Sequence, residues 1–283
     1  DDVFWNPGFV PPTSCIARTV VTVHDLTHLH FYSVRHRIYY NLVLKRLYKR
    51  CASIVCVSEY SKDEFCKWSG YPRDKVHVIY NAVSQTYLKN SVAADLGFQY
   101  VLYPGNYRDY KNLNRLMQAY AQSNLPSDGV KLVITGPGSA ELHALAAILK
   151  ITNNFVVTGF LEEQRLAEIY RGAQAIAFVS LYEGFGLPIL EGMASDVPVL
   201  TSDVSAMPEI AGTAAMLVDP YSIASIRAGL DRVVRDGGLR QELIQRGRSR
   251  VKDFSWAISA GKLERLLLHI GGHRLYEAPT ANC

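Results

Sequence analysis

The sequence predicts an α/β protein of two Rossmann-like blocks with mostly parallel sheets, the first block incomplete. Three observations point there. Short apolar runs of strand length alternate with segments of helical period along the chain. Glycine-rich corners follow several of those runs, as they do where a strand feeds a helix. A polar stretch over residues 84–99 separates a block with three such strands from a block with six.

In chain order, the first block has strands at 19–23, 53–57 and 76–80, with helices between them. That is about half of a Rossmann-like domain, and a half domain leaves a sheet edge and apolar surface that something must cover. The second block has strands at 100–103, 131–134, 155–157, 175–179, 198–200 and 214–218, which make a complete doubly wound domain. The expected boundaries are 1–87 for the partial first domain and 88–254 for the second. Residues 255–283 are expected to form a C-terminal helix packing back toward the first domain.

The 283 residues are 48% hydrophobic but contain no apolar run of the ~18 residues that a membrane-spanning helix needs. The chain opens Asp-Asp-Val-Phe-Trp, so no signal peptide is expected. The five cysteines (Cys15, Cys51, Cys56, Cys66 and Cys283) are odd in number and lack paired metal spacing. Reduced thiols and a cytoplasmic location are the expectation, and Cys56 inside an apolar strand reads as core packing rather than ligation.

The net charge of +4 is confined to the first block: residues 1–87 hold 11 Lys/Arg against 7 Asp/Glu, residues 88–283 hold 19 against 19. Much of it lies in residues 33–50, where Arg35, Arg37, Lys45, Arg46, Lys49 and Arg50 accompany a Leu/Tyr stripe at helical spacing. Two readings fit. The helix packs its stripe on the sheet with a solvated basic face, or it rests on an anionic membrane surface as a peripheral attachment. No nucleic-acid recognition motif accompanies the charge, so nucleic acid is not the expected partner.

The most informative stretch is Glu183-Gly-Phe-Gly-Leu-Pro-Ile-Leu-Glu191. It follows the apolar run 175–179, and Pro188 suits the first turn of a helix, so the motif is a strand–loop–helix corner. Gly184 and Gly186 allow close backbone approach, the helix start attracts anionic oxygens, and Glu191 lies about one turn inside. Two acceptor carboxylates suit a ligand rich in hydroxyls. Each glutamate taken alone also reads as a solvated loop residue or a first-turn helix acid.

In order along the chain stand Gly105-Asn-Tyr-Arg108-Asp-Tyr-Lys111-Asn112, Gly136-Pro-Gly138, Thr158-Gly-Phe160, the paired-glutamate motif, and Ser205-Ala-Met-Pro208-Glu209. Together they resemble the C-terminal half of retaining glycosyltransferases of the GT-B fold, specifically the large family 4 that includes mannosyl- and rhamnosyltransferases. The resemblance runs from about residue 1 to about residue 260. It implies two Rossmann-like domains, the first one short of about a hundred residues that carry the glycine-rich donor loop and most of the acceptor pocket.

By this resemblance, Glu191 would bind the nucleotide ribose. Glu183 with the Gly184, Phe185, Gly186 and Leu187 backbone would hold the donor sugar. Lys111 and Arg108, near Gly105, would hold the diphosphate, although Asn106 stands where many members carry arginine. Phe160 would lie beside the base, and His24, after the strand 19–23, would contact the transferred sugar. His28 and His30 follow closely, but no carboxylate or cysteine completes a metal cluster with them.

Breaking a glycosyl–phosphate bond moves negative charge onto phosphate, which needs cations or dipoles aimed at it. No two aspartates here are separated by one residue, which favours a metal-free site built on Lys, Arg and a helix N-terminus. The implied reaction moves a hexose with retention to a glycan or lipid-linked glycan acceptor and uses no cofactor beyond the donor. GDP-mannose is the favoured donor, with dTDP-rhamnose and UDP-hexoses as alternatives. Two other functions share the features: a GT-B sugar-nucleotide epimerase, and a noncatalytic or split-enzyme donor-binding subunit.

Overall fold

A computed structural model describes residues 2–14 and 17–272. The chain divides into two compact units, 1–81 together with 256–283, and 82–255.

The first unit holds a four-stranded parallel sheet of β1 (Val3–Asn6), β2 (Arg18–Val23), β3 (Ser53–Cys56) and β4 (Val76–Val78), in that order. β1 has no counterpart in the sequence reading. It is a short edge strand whose Phe4 and Trp5 stay exposed, so it lacks the continuous apolar run that marks a buried parallel strand. The β1–β2 register is supported by the Trp5 indole, which donates to Thr22 Oγ1 at 3.1 Å. β3 is buried at every position, and β2 at every position but Arg18, because both sheet faces are covered. On one face, Val21 and Ile54 pack with Tyr40, Leu44, Tyr48 and Phe65. On the other, Val20 and Val55 pack with Leu266 of the C-terminal helix Trp256–Gly271. Residues 273–283 of the expected C-terminal segment lie outside the described residues.

The basic segment is helical over Val34–Tyr39, widens into a π turn at Tyr40–Leu44 and continues over Lys45–Tyr48. Tyr40, Leu44, Leu47 and Tyr48 point inward. Its outer side is not purely basic: Val34, Ile38 and Leu42, four residues apart on one stripe, are 64%, 51% and 52% exposed.

The second unit holds a six-stranded parallel sheet: β5 (Tyr100–Tyr103), β6 (Lys131–Ile134), β7 (Phe155–Val157), β8 (Ala175–Phe178), β9 (Val199–Ser202) and β10 (Met216–Val218). Their spatial order is β10-β9-β8-β5-β6-β7. The connections therefore run one way from β5 and reverse at β8, which places the topological switch point between β5 and β8.

The boundary between units falls at 81/82, whereas the sequence reading placed it at 87/88 with a linker over 84–99. Those residues belong to the second unit. Ser84 Oγ accepts from Thr86 N–H at the start of the helix Gln85–Lys89, and Tyr87 of that helix is buried edge-on against Tyr170. The Ala94 amide donates to the Glu168 carbonyl, and the chain passes so close to Gly172 that a Cβ there would sit 2.4 Å from the Ala94 oxygen. The polar composition of the segment conceals these few fixed contacts.

Cys51 and Cys56 are buried free thiols, and burial pushes Cys51 up to about 12 and Cys56 higher still. Cys15 and Cys283 lie outside the described residues. Among the described residues, no helix is long and apolar enough to cross a membrane.

Candidate functional site

The corners at the carboxyl ends of the second sheet are tied to one another. After β5, the Gly105 amide donates to Thr135 Oγ1 after β6 at 3.1 Å. The Gly138 amide donates to the Tyr107 hydroxyl, and the Gly136 amide to the Gly159 carbonyl after β7, each at 3.0 Å. Gly136, Gly138 and Gly159 all have positive φ, which the sequence supplies with the one residue that adopts it without strain.

Across the switch point, the Leu181 amide donates to the Tyr110 carbonyl at 2.7 Å. Asn112, buried and itself at φ 61°, donates through Nδ2 to the Val179 and Pro220 carbonyls. Beside this anchor, Lys111 Nζ and Glu183 Oε1 form an ion pair at 2.6 Å, with the side chains only 15% and 13% exposed. The ammonium also lies 5.3 Å from the ring centroids of both Tyr110 and Phe178. The two residues assigned separately to diphosphate and sugar are thus in direct contact at the crevice mouth.

Glu183 is fixed from a third corner: its amide donates to Ser205 Oγ at 3.0 Å, and Ser205 has φ 55°. Ser202 and Thr201 hydroxyls of β9 donate to the Ser180 and Phe178 carbonyls, holding the end of β8 against β9. Gly186, at φ 107°, caps the helix Leu187–Ala194, with Pro188 in its first turn. A Cβ at Gly186 would lie 3.1 Å from Ile189 Cδ1. Gly184, Phe185 and Gly186 are buried, Phe185 lies edge-on to Phe254, and Leu187 stays at the exposed mouth.

Glu191, one turn along, is partly buried, and its Oε2 accepts from the Tyr170 hydroxyl at 2.6 Å. Burial raises its carboxyl pKa, opposed by that hydrogen bond and aided by the charge of Glu163. Among the described residues Oε1 has no protein partner, which leaves one acceptor for a ligand hydroxyl. Neither Tyr170 nor Asn112 nor Ser205 was assigned a role from sequence. Tyr170 lies 21 residues from its partner on another helix, and no local spacing signals the contact.

Three candidates named from the sequence remain. Arg108 is exposed beside Lys111 and has no carboxylate partner among the described residues. Phe160 follows Gly159 on the outermost corner, after edge strand β7, and is 86% exposed. His24 belongs to the first unit, at the carboxyl end of β2, with Nε2 bonded to the Pro7 carbonyl at 2.8 Å. It lines a mainly apolar cavity of about 470 Å³ with Trp5, Thr22, Tyr80, Asn81 and Trp256. Among the described residues, no cluster of three or more His, Cys, Asp or Glu is placed to hold a metal ion.

An open parallel sheet with glycine corners at its carboxyl ends and a Lys–Glu pair beside its switch point defines a Rossmann-like class of protein. The particular family follows from comparison. Residues 84–250 match the family described as Glycosyl transferases group 1, residues 5–86 match Glycosyltransferase Family 4, and the chain belongs to these glycosyltransferases. It is 30% identical over 276 residues to the O-antigen chain mannosyltransferase B of Escherichia coli, covering 90% of this chain and 71% of that protein. It is 27% identical to the O-antigen chain mannosyltransferase RfbU of Salmonella typhimurium, covering 75% of this chain and 60% of that one. Among solved structures, Anabaena HepE in complex with UDP and glucose superposes with a TM-score of 0.76 at 18% identity, over 88% of this chain and 71% of that one. The two parallel-sheet units are thus the domains of a GT-B fold.

Proposed function

We propose that the chain is a retaining, metal-independent glycosyltransferase that moves a hexose, mannose in preference, from a nucleotide diphosphate sugar to a glycan or lipid-linked glycan. The Lys111–Glu183 pair at the switch point carries this reading, because it sets a cation for the departing phosphate against a carboxylate for sugar hydroxyls. Lys111 and Arg108 stabilise the charge that develops on the diphosphate, and the start of the helix Leu187–Ala194 adds its dipole. Glu191 Oε1 accepts from the ribose, Phe160 lies beside the base, and His24 contacts the transferred sugar. The departing phosphate guides attack from its own face, so retention needs no covalent intermediate. The mannose preference is supported by the relatives named as mannosyltransferases.

The same reading places the protein at an anionic membrane surface, where a lipid-linked acceptor is found. The stripe of Val34, Ile38 and Leu42 beside Arg35, Arg37 and Arg46 supports this over the purely solvated face. Calorimetry with GDP, UDP and dTDP in EDTA tests the donor site. Binding is expected without added metal, and binding that requires magnesium or manganese overturns the metal-free reading.

A further inference from the structure

Along β4, the edge strand of the first sheet, lies a groove of about 470 Å³ that the donor site does not use. Its lining comes from four elements. Lys62 projects from the helix Glu59–Ser69, Arg73 from the turn before β4, and Lys262, Arg265 and His269 from the C-terminal helix, with His77 on β4 itself. The spacing 262, 265, 269 sets those three on one face of their helix. Asp74 is the one carboxylate in the lining, and Arg73 is already paired with Asp63 at 2.5 Å. Among the described residues, Lys62, Lys262 and Arg265 have no carboxylate partner. Three cations around one cavity, none held by a carboxylate among the described residues and Lys262 resting on the ring of Tyr80, are mutually repulsive, and a bound anion relieves that repulsion. The same local potential acts on His77, whose pKa is lowered first by burial and then by Lys62 and His269. Val76 and Leu266 floor the groove, so it accepts an anion attached to a less polar body.

We propose that this groove is a second anion site that binds a diphosphate-bearing ligand, through Lys62, Lys262 and Arg265. A diphosphate presents oxygens on two phosphorus centres and so can meet cations on opposite walls at once, which a carboxylate cannot. The diphosphate is either free in solution or the headgroup of a lipid. The proposal is independent of the reading given to Lys111 and Glu183, which lie in the other unit.

The test uses the whole chain as wild type, Lys111→Ala, and Lys262→Gln with Arg265→Gln. Pyrophosphate is titrated by calorimetry while proton NMR follows the His77 and His269 ring resonances. In Lys111→Ala, pyrophosphate is expected still to bind and to shift both histidines. The double Gln variant is expected to lose about tenfold or more of that affinity, with its thermal midpoint unchanged by circular dichroism. Lys62→Gln serves as a single-site variant with the same expected direction, should the double one lose its fold. Histidine resonances that do not move, or Gln variants that bind as wild type does, overturn the proposal. A Lys111→Ala variant that keeps the wild-type affinity for GDP counts against the donor-site reading alone, and the groove histidines still decide the proposal. Neutral vesicles with and without a polyprenyl diphosphate separate the sources. Vesicle binding that pyrophosphate competes away assigns a lipid headgroup, and pyrophosphate binding without vesicle binding assigns a soluble ligand.

Discussion

Lys111 and Glu183 come from corners 72 residues apart, and their contact at 2.6 Å makes a quantitative prediction about stability. With an effective dielectric near 20, the gross attraction at that distance is about 6 kcal/mol, most of it offset by the desolvation of both groups. Removing one partner leaves the other charge largely buried and unpaired. A fully buried pair costs about 3–5 kcal/mol to break in this way, and residual exposure of 15% and 13% lowers the expectation to about 2–4 kcal/mol. Replacing both by apolar residues removes both desolvation terms together, so Lys111→Met with Glu183→Leu is expected to be more stable than the worse single variant. The coupling in the cycle is about 2 kcal/mol.

The assay is urea unfolding followed by far-ultraviolet circular dichroism. With a slope of about 2 kcal/mol per molar urea, each single change moves the midpoint by about 1 M or more. Trp5, Trp68 and Trp256 all belong to the first unit, so their emission is the internal reference for the unit without the substitutions. Single variants within about 0.5 kcal/mol of wild type, or a coupling indistinguishable from zero, would refute the pairing as a feature of the protein in solution.

Three further outcomes follow from other parts of the structure. The raised pKa of Glu191 means that the stability it contributes is complete below the unfolded carboxylate value and is lost as pH rises through the folded one. Glu191→Gln is therefore expected to gain stability relative to wild type as pH rises above the ordinary glutamate range, about pH 4, measured as the midpoint difference between acid and neutral pH; a difference constant with pH contradicts the account. Gly192 seats the helix Leu187–Ala194 against β8 and β9, where a Cβ would sit 2.8 Å from both Ile176 Cγ1 and Val199 Cγ2, so Gly192→Ala should cost about 1–3 kcal/mol of unfolding free energy. In co-sedimentation with anionic liposomes, Arg46→Glu, Lys49→Glu and Arg50→Glu together should abolish the salt-sensitive binding and Ile38→Ser with Leu42→Ser the salt-resistant part; no binding by wild type returns the helix to a solvated face.

Most strands were legible because a parallel sheet covered on both faces demands apolar residues at successive positions, as in β3 and β8, which are buried throughout. β1 escaped because an edge strand with exposed Phe4 and Trp5 satisfies no such demand. The glycine corners and both glutamates were visible as local spacing, and the structure sets the corners and Glu183 after the carboxyl ends of strands and Glu191 inside the helix Leu187–Ala194. What sequence spacing could not carry was the partner of each group. Asn112 reaches Pro220 over 108 residues, and Tyr170 meets Glu191 from a different helix, so only the sheet order reveals them. The outer stripe of the basic segment was hidden for another reason. Val34, Ile38 and Leu42 recur every four residues just as the inward Tyr40, Leu44 and Tyr48 do, so spacing alone does not say which apolar row faces the sheet.

The two glutamates should fail differently in binding, and the structure sharpens the contrast. Among the described residues Glu191 offers an unpartnered Oε1 while Tyr170 holds the other oxygen, so under the proposed function it is preset for a ribose hydroxyl. Glu191→Gln weakens that charge-assisted bond, worth roughly 1.5–3 kcal/mol, or about tenfold or more in the affinity for bare GDP or UDP. Glu183 instead occupies Lys111, the cation proposed to hold the diphosphate. Glu183→Gln removes a charge that competes with the phosphates for the same ammonium. Bare-nucleotide affinity is then expected to hold or rise, while turnover of the sugar nucleotide falls because the hexose has lost its carboxylate. Calorimetry with the bare nucleotide and steady-state turnover with the sugar nucleotide, on the same two proteins, separate these effects. Equal loss of bare-nucleotide affinity in both variants would mean that Glu183 contacts the nucleotide rather than the sugar.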